Sequence, residues 1–223
     1  ATNAGLQLCG DTCEGYEPAD VSRTGGNIMQ SMLSAYQATG DPAYLELVAR
    51  IARYVACVET SVLPPTCNRF HFQTIFVRSL GHYLILRNAL ALPDDAAARG
   101  ILQRRIDYMT NTLWDASSQR FRMCYYDDVI DTTLTPIEDN WLFGAADAFA
   151  VGATVLSRPE LLTQYGESVF QYGSENQFYA GSANSYHSAK EFVNQVGWGQ
   201  MFMHAWWKAT ATTAPGRRRP VRR

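Results

Sequence analysis

Ala38-Thr39-Gly40-Asp41-Pro42-Ala43-Tyr44-Leu45-Glu46 is the stretch on which the fold class turns. Gly40 can stop a helix because it takes the left-handed backbone conformation without a steric penalty. Asp41 then offers a side-chain oxygen to the amides of a new helix, and Pro42 has no N–H to leave unpaired in its first turn. Upstream, Ile28, Met32, Leu33, Ala35 and Tyr36 fall at three- and four-residue spacing, which predicts a helix over 26–39. Downstream, Tyr44, Leu45, Val48, Ile51, Ala52 and Val55 continue the same rhythm and predict a second helix to about residue 60. Two helices joined so tightly are expected to lie antiparallel.

The pattern recurs along the chain. A third helix is expected over 68–90, Pro93-Asp94-Asp95 turns the chain, and a fourth carries Ala96, Ile101, Leu102, Ile106, Met109 and Leu113. Residues 119–126 alternate like a short strand, and 127–138 read as an acidic loop. A fifth helix is predicted from Asp139 to Ser157, a sixth follows Pro159, and a last one spans 188–210 after a polar, aromatic loop over 172–187. Pro42, Pro93 and Pro159 mark helix–Pro–helix turns at unequal intervals, which excludes a tetratricopeptide or ankyrin array. The expected class is therefore all-α, an irregular αα-hairpin repeat over 24–210, with an irregular segment over 1–23 and a basic, disordered tail over 211–223. In the fifth helix, Ala145, Ala146, Ala148, Ala150, Gly152 and Ala153 let neighbours approach on several sides, so it should be an inner helix. Asp147 within it is either a hydrogen-bonded core residue or a group facing a central cavity.

Composition agrees with a folded domain. The 223 residues are 47% hydrophobic and 12% aromatic, enough for a core and unlike disordered, collagenous or coiled-coil chains. The net charge is −2, but five arginines lie within 217–223, leaving fourteen basic against twenty-one acidic residues elsewhere. An acidic body with its spare positive charge on a short tail argues against a nucleic-acid partner. No run of 18 apolar residues exists, so no membrane span is expected. Five cysteines favour an oxidising compartment. Cys57 and Cys67 flank Leu63-Pro64-Pro65 and suit a bridge, Cys9 and Cys13 can close another, and Cys124 is left over. Reduced thiols remain the alternative, and zinc spacing is lacking.

Gly25-Gly26-Asn27 ahead of a helix, with Thr39-Gly40-Asp41-Pro42-Ala43-Tyr44-Leu45 after it, resembles the turns of the α/α-toroid carbohydrate enzymes, the six-hairpin glycosidases and related polysaccharide lyases. Asp139-Asn140-Trp141 is similar to the acidic residue those proteins place at the cavity end of an inner helix. The resemblance covers about 24–60 and 127–210. It implies an α/α-toroid-like fold and a secreted or cell-envelope protein acting on a polysaccharide or oligosaccharide. The chain shows six or seven helices, about half a complete toroid, so the toroid is reduced, continued in a larger protein, or replaced by a bundle that never closes.

Three constellations carry candidate chemistry. The first is Tyr125, Tyr126, Asp127, Asp128, Glu138, Asp139 and Trp141, where rings for stacking are interleaved with carboxylates for general acid and base work. Asp127 or Asp128 would pair with Glu138 or Asp139. A solvated acidic loop with Asp139 as a helix cap, or a calcium site without EF-hand spacing, is the alternative. The second is Asn184, Ser185, Tyr186 and His187, which faintly resembles the amide, tyrosine and histidine set of toroidal alginate-type lyases and would serve β-elimination. His187 is otherwise a capping residue. The third is the stripe His71, Ile75, Arg78, His82, in which Arg78 could bind an acidic sugar, His71 could act as a base, and His82 is a core histidine. Phosphate-binding glycine loops, a Gly-x-Ser-x-Gly elbow and His-Glu-x-x-His are absent, and no cofactor or metal is expected. The rival to an enzyme is an extracellular structural or glycan-binding helical module. Phe192, Val196, Met201, Phe202, Trp206 and Trp207 on the last helix would then meet another copy or a missing partner domain.

Overall fold

A computed structural model describes residues 23–61, 70–122, 140–178 and 199–213. Among them the chain is all-α, with seven α-helices and one two-stranded ribbon. The helices are α1 (Arg23–Thr39), α2 (Pro42–Ser61), α3 (Phe70–Ala89), α4 (Ala96–Tyr108), α5 (Asn140–Leu156), α6 (Glu167–Phe178) and α7 (Gln200–Thr213). π-helical turns extend α4 over Met109–Leu113 and precede α6 over Leu161–Gly166. β1 (Trp114–Asp115) pairs antiparallel with β2 (Arg120–Phe121). Of the strand expected over 119–126 only Arg120 and Phe121 are strand, Gln119 lying in the turn before them, and residues 123–126 lie outside the described residues. Helical structure also begins at Arg23 and runs through Thr213, one residue before and three beyond the expected limits.

The link that decides the class forms as the sequence dictates. Gly40 takes φ +72° and its amide bonds Tyr36 O at 2.7 Å, closing α1. Asp41 Oδ1 accepts from the Ala43 amide at 2.9 Å and caps α2. At α4 the same device recurs, with Asp95 Oδ1 accepting from Ala98 N at 3.0 Å. Asp95 Oδ2 also takes the Tyr83 hydroxyl at 2.9 Å, tying the cap to α3.

Close approaches give the helix directions. A Cβ at Gly26 would lie 2.8 Å from Phe76 N, and Gln30 Oε1 sits 3.2 Å from His82 Nδ1, so α1 and α3 run the same way. Arg78 lies 3.9 Å from Asp147 and Gly81 faces Val151, so α5 runs with them. Gly199 abuts Phe143 and the Phe202 amide reaches Asp147, which adds α7. Ile106 and Leu161 both meet Gly152, Arg99 bonds Val155 O, and Gly173 meets Leu142, so α4 and α6 run opposite to α5. α5 is an inner helix: Ala145, Ala146, Ala148, Phe149 and Val151 are all 0% exposed.

Candidate functional site

Because α1, α3, α5 and α7 run one way, their first residues, Arg23, Phe70, Asn140 and Gln200, share one end of the row. The chain enters α5 from Asp139 and enters α7 through the segment that follows His187. His71 and Trp141 occupy the first turns of α3 and α5, with side chains outside the described set. Tyr125, Tyr126, Asp127, Asp128, Glu138, Asp139, Asn184, Tyr186 and His187 lie outside the described residues, as do Cys9, Cys13, Cys67 and Cys124 and the side chain of Cys57.

Below that end the row holds a polar cluster. Asp147, 2% exposed, accepts from the Phe202 amide at 3.0 Å and from the amides of Gly199 and Met201. Gly199, at φ +87°, starts α7 through the bond from Met203 N to its carbonyl but has no side chain to cap it. Asp147 therefore caps α7 from a neighbouring helix, binding the orphan N–H groups of its first turn. This places Asp147 as the hydrogen-bonded core residue of the two readings its sequence context left open. Burial pushes its carboxyl above the ordinary range, opposed by those amides and by Arg78.

Arg78, half-buried, faces the same carboxylate at 3.9 Å. His82, one turn further along α3, meets Gln30 of α1 through Nδ1 and Met201 Sδ of α7 through Nε2. Burial, with the Arg78 charge beside it, pushes the imidazole down to about 4, so it is neutral at pH 7. His82 is half-buried where a core histidine is expected, and with both ring nitrogens partnered it joins three helices. Arg78 is the one proposed binding residue whose side chain is described, and its charge is matched by Asp147, whose pairing with it the helical spacing of α5 alone does not reveal.

Among the described residues no group of three His, Cys, Asp or Glu side chains is placed to hold a metal ion. None of the described helices is long and apolar enough to cross a membrane. Comparison with protein-family models, with curated proteins and with solved structures finds no match to this chain.

On α7, Phe202 is buried at 2%, whereas Met203 and Trp207 are 51% and 57% exposed. Beside them an apolar groove of about 870 Å³ runs between α5 and α7, walled by Ile85, Ala153, Leu162, Met201 and Ala205. Phe192 and Val196 fall outside the described residues.

Proposed function

We propose that the chain is an αα-hairpin, α/α-toroid-like domain that acts on a neutral polysaccharide or oligosaccharide at the end of the row where its parallel helices begin. One observation carries the reading: α1, α3, α5 and α7 are parallel while α4 and α6 run opposite. That alternation is what successive hairpins with an inner and an outer member produce. It supports a common end for the acidic segment leading into α5, the segment leading into α7, and the start of α3. Paired carboxylates there, Asp127 or Asp128 with Glu138 or Asp139, would divide the acid and base roles of glycoside hydrolysis, with Tyr125, Tyr126 and Trp141 stacking on the sugar. With Arg78 facing Asp147, a uronate finds less positive charge to meet, which favours hydrolysis of neutral glycans over elimination by Tyr186 and His187 with Asn184.

Incubation with neutral polysaccharides and with alginate and pectate tests this. New reducing ends from neutral glycans are expected, lost about a hundredfold or more in Glu138→Gln or Asp139→Asn. An ultraviolet-absorbing unsaturated product from alginate or pectate instead would assign the chain to the lyases. The anomeric configuration of the first product then reports the carboxylate separation, about 5–5.5 Å for retention and about 6.5–9.5 Å for inversion.

The exposed Met203 and Trp207 favour a second reading, a non-catalytic structural or glycan-binding module whose α7 meets another copy or a partner domain. A mass near 24.9 kDa by light scattering removes the second-copy form of it.

A further inference from the structure

A smaller cavity lies between the β-ribbon and the helical stretch from the Leu161–Gly166 turn into α6, with a volume of about 360 Å³. That is at the lower end of the roughly 300–1,000 Å³ that small-ligand sites occupy. Its walls are Trp114, Gln119, Gln164, Glu167, Ser168 and Gln171, with Ala116 and Thr163 at its edge. None of these belongs to the three constellations or to the Asp147 cluster.

Three unusual backbone features converge on it. The π-helical turn over Met109–Leu113 ends immediately before Trp114, and the one over Leu161–Gly166 contains Gln164. Gln119 sits in the left-handed region at φ +54°, where a non-glycine side chain is uncommon. π turns inside α-helices recur at functional sites because they re-aim the side chains beside them. Here the four polar residues Gln164, Glu167, Ser168 and Gln171 follow the spacing of one helix face, and that face looks at the ribbon rather than only at water. Trp114, half-buried, is held by Phe121 at 4.8 Å and Tyr165 at 5.1 Å between ring centroids, tilted and edge-on.

We propose that this cavity is a second saccharide site that takes a neutral sugar ring. The amides of Gln119, Gln164 and Gln171 both donate and accept, the Glu167 carboxylate accepts, and Trp114 offers a rigid apolar wall to the C–H face of a sugar. No lysine or arginine is among its lining residues, and Glu167 among them disfavours an anionic ligand. The inference rests on the glycan reading for the ligand class but not for the site, and the two fail separately.

Saturation-transfer NMR on the full chain, with neutral methyl glycosides, glycerol, glucuronate and choline as probes, tests it. At least one methyl glycoside is expected to bind saturably and more tightly than the other probes. Gln164→Ala and Glu167→Ala, both at exposed positions and checked for unchanged helicity by circular dichroism, should each weaken that binding about tenfold. The proposal is overturned if no glycoside binds saturably, if both variants bind as the parent does, or if choline or glucuronate binds more tightly. Release of reducing ends without saturable binding that depends on Gln164 would retain the proposed function and remove this site.

Discussion

Helix α5 is joined to its two parallel neighbours in opposite ways. Towards α3 the closest approach is steric, beside the Arg78–Asp147 pair: Gly81 admits Val151 so closely that a Cβ there would lie 2.5 Å from Val151 Cγ2. Towards α7 it is electrostatic, with Asp147 taking the first-turn amides of a helix whose own cap residue is Gly199. A seam made by fit depends on volume and is indifferent to pH; a seam made by one buried carboxyl group depends on its acceptor oxygens and on its protonation. The same helix thus carries one interface that an added methyl group should strain and one that the loss of a single carboxyl group should break.

Asp147→Ala tests the charged seam with the largest expected effect. It removes the acceptor of α7's amides and the carboxyl group that faces Arg78, a loss of about 3–5 kcal/mol in urea unfolding. Hydrogen exchange should accelerate first in the amides of α7. Asp147→Asn, which keeps an acceptor oxygen but no charge, should recover part of the loss. A cost under about 1 kcal/mol for the alanine variant would show that α7 is held by Phe202 packing instead.

His82 gives the next effect, through pH. Its folded pKa of about 4 lies below the 6.5 of the unfolded chain, so the folded state resists the proton that the unfolded state accepts. Its contribution is complete above pH 6.5 and declines as pH falls towards 4, by about 3 kcal/mol over the window. Asp147, with its pKa raised, works the other way: the ionised carboxylate is disfavoured in the fold, and stability returns as it is protonated at low pH. Around His82 stand Arg78, Gln30, Met201 and, through Arg78, Asp147. In His82→Gln the first slope should vanish and the second remain, so unfolding followed between pH 7 and 4 should show less acid destabilisation than in the parent. Parallel curves for the two proteins would remove His82 as the source.

What was legible in the sequence follows this division. The α1–α2 link was readable because Gly40, Asp41 and Pro42 act on amides within a few residues, and Asp95 at α4 is another such local cap. The inner position of α5 was readable because its alanines and Gly152 are small on nearly every side. The role of Asp147 was legible only as an alternative, since the amide it serves is 55 residues away. The π turns gave no periodic signal, because one extra residue in a turn disturbs the apolar rhythm no more than a helix end does. The stripe Gln164, Glu167, Ser168, Gln171 did not enter the sequence reading, because a polar helix face is indistinguishable from a solvated one until something is found opposite it. Of the candidate site, the residue types and their order were readable, whereas the shared end of the helix row needed the directions of α3, α5 and α7, which no local spacing contains.

The steric seam supplies the smallest effect and the sharpest control. Gly81→Ala places a methyl 2.5–2.6 Å from the Cγ2 and Cβ atoms of Val151, closer than carbon atoms rest. Val151 is 0% exposed, so its side chain cannot swing into solvent, and the two helices must separate or shift in register. Overpacking of this kind costs about 1–3 kcal/mol. Val151→Ala alone removes two methyl groups from the core and leaves a cavity, also destabilising. Combined, the alanine at 81 should fill part of the space vacated at 151, so the double variant should be more stable than the sum of the single losses, a coupling of about 0.5–3 kcal/mol. Since no charge changes, that coupling should be equal at pH 7 and pH 4, unlike the His82 difference. Strict additivity of the two substitutions would show that the fit of Gly81 on Val151 does not hold α3 against α5.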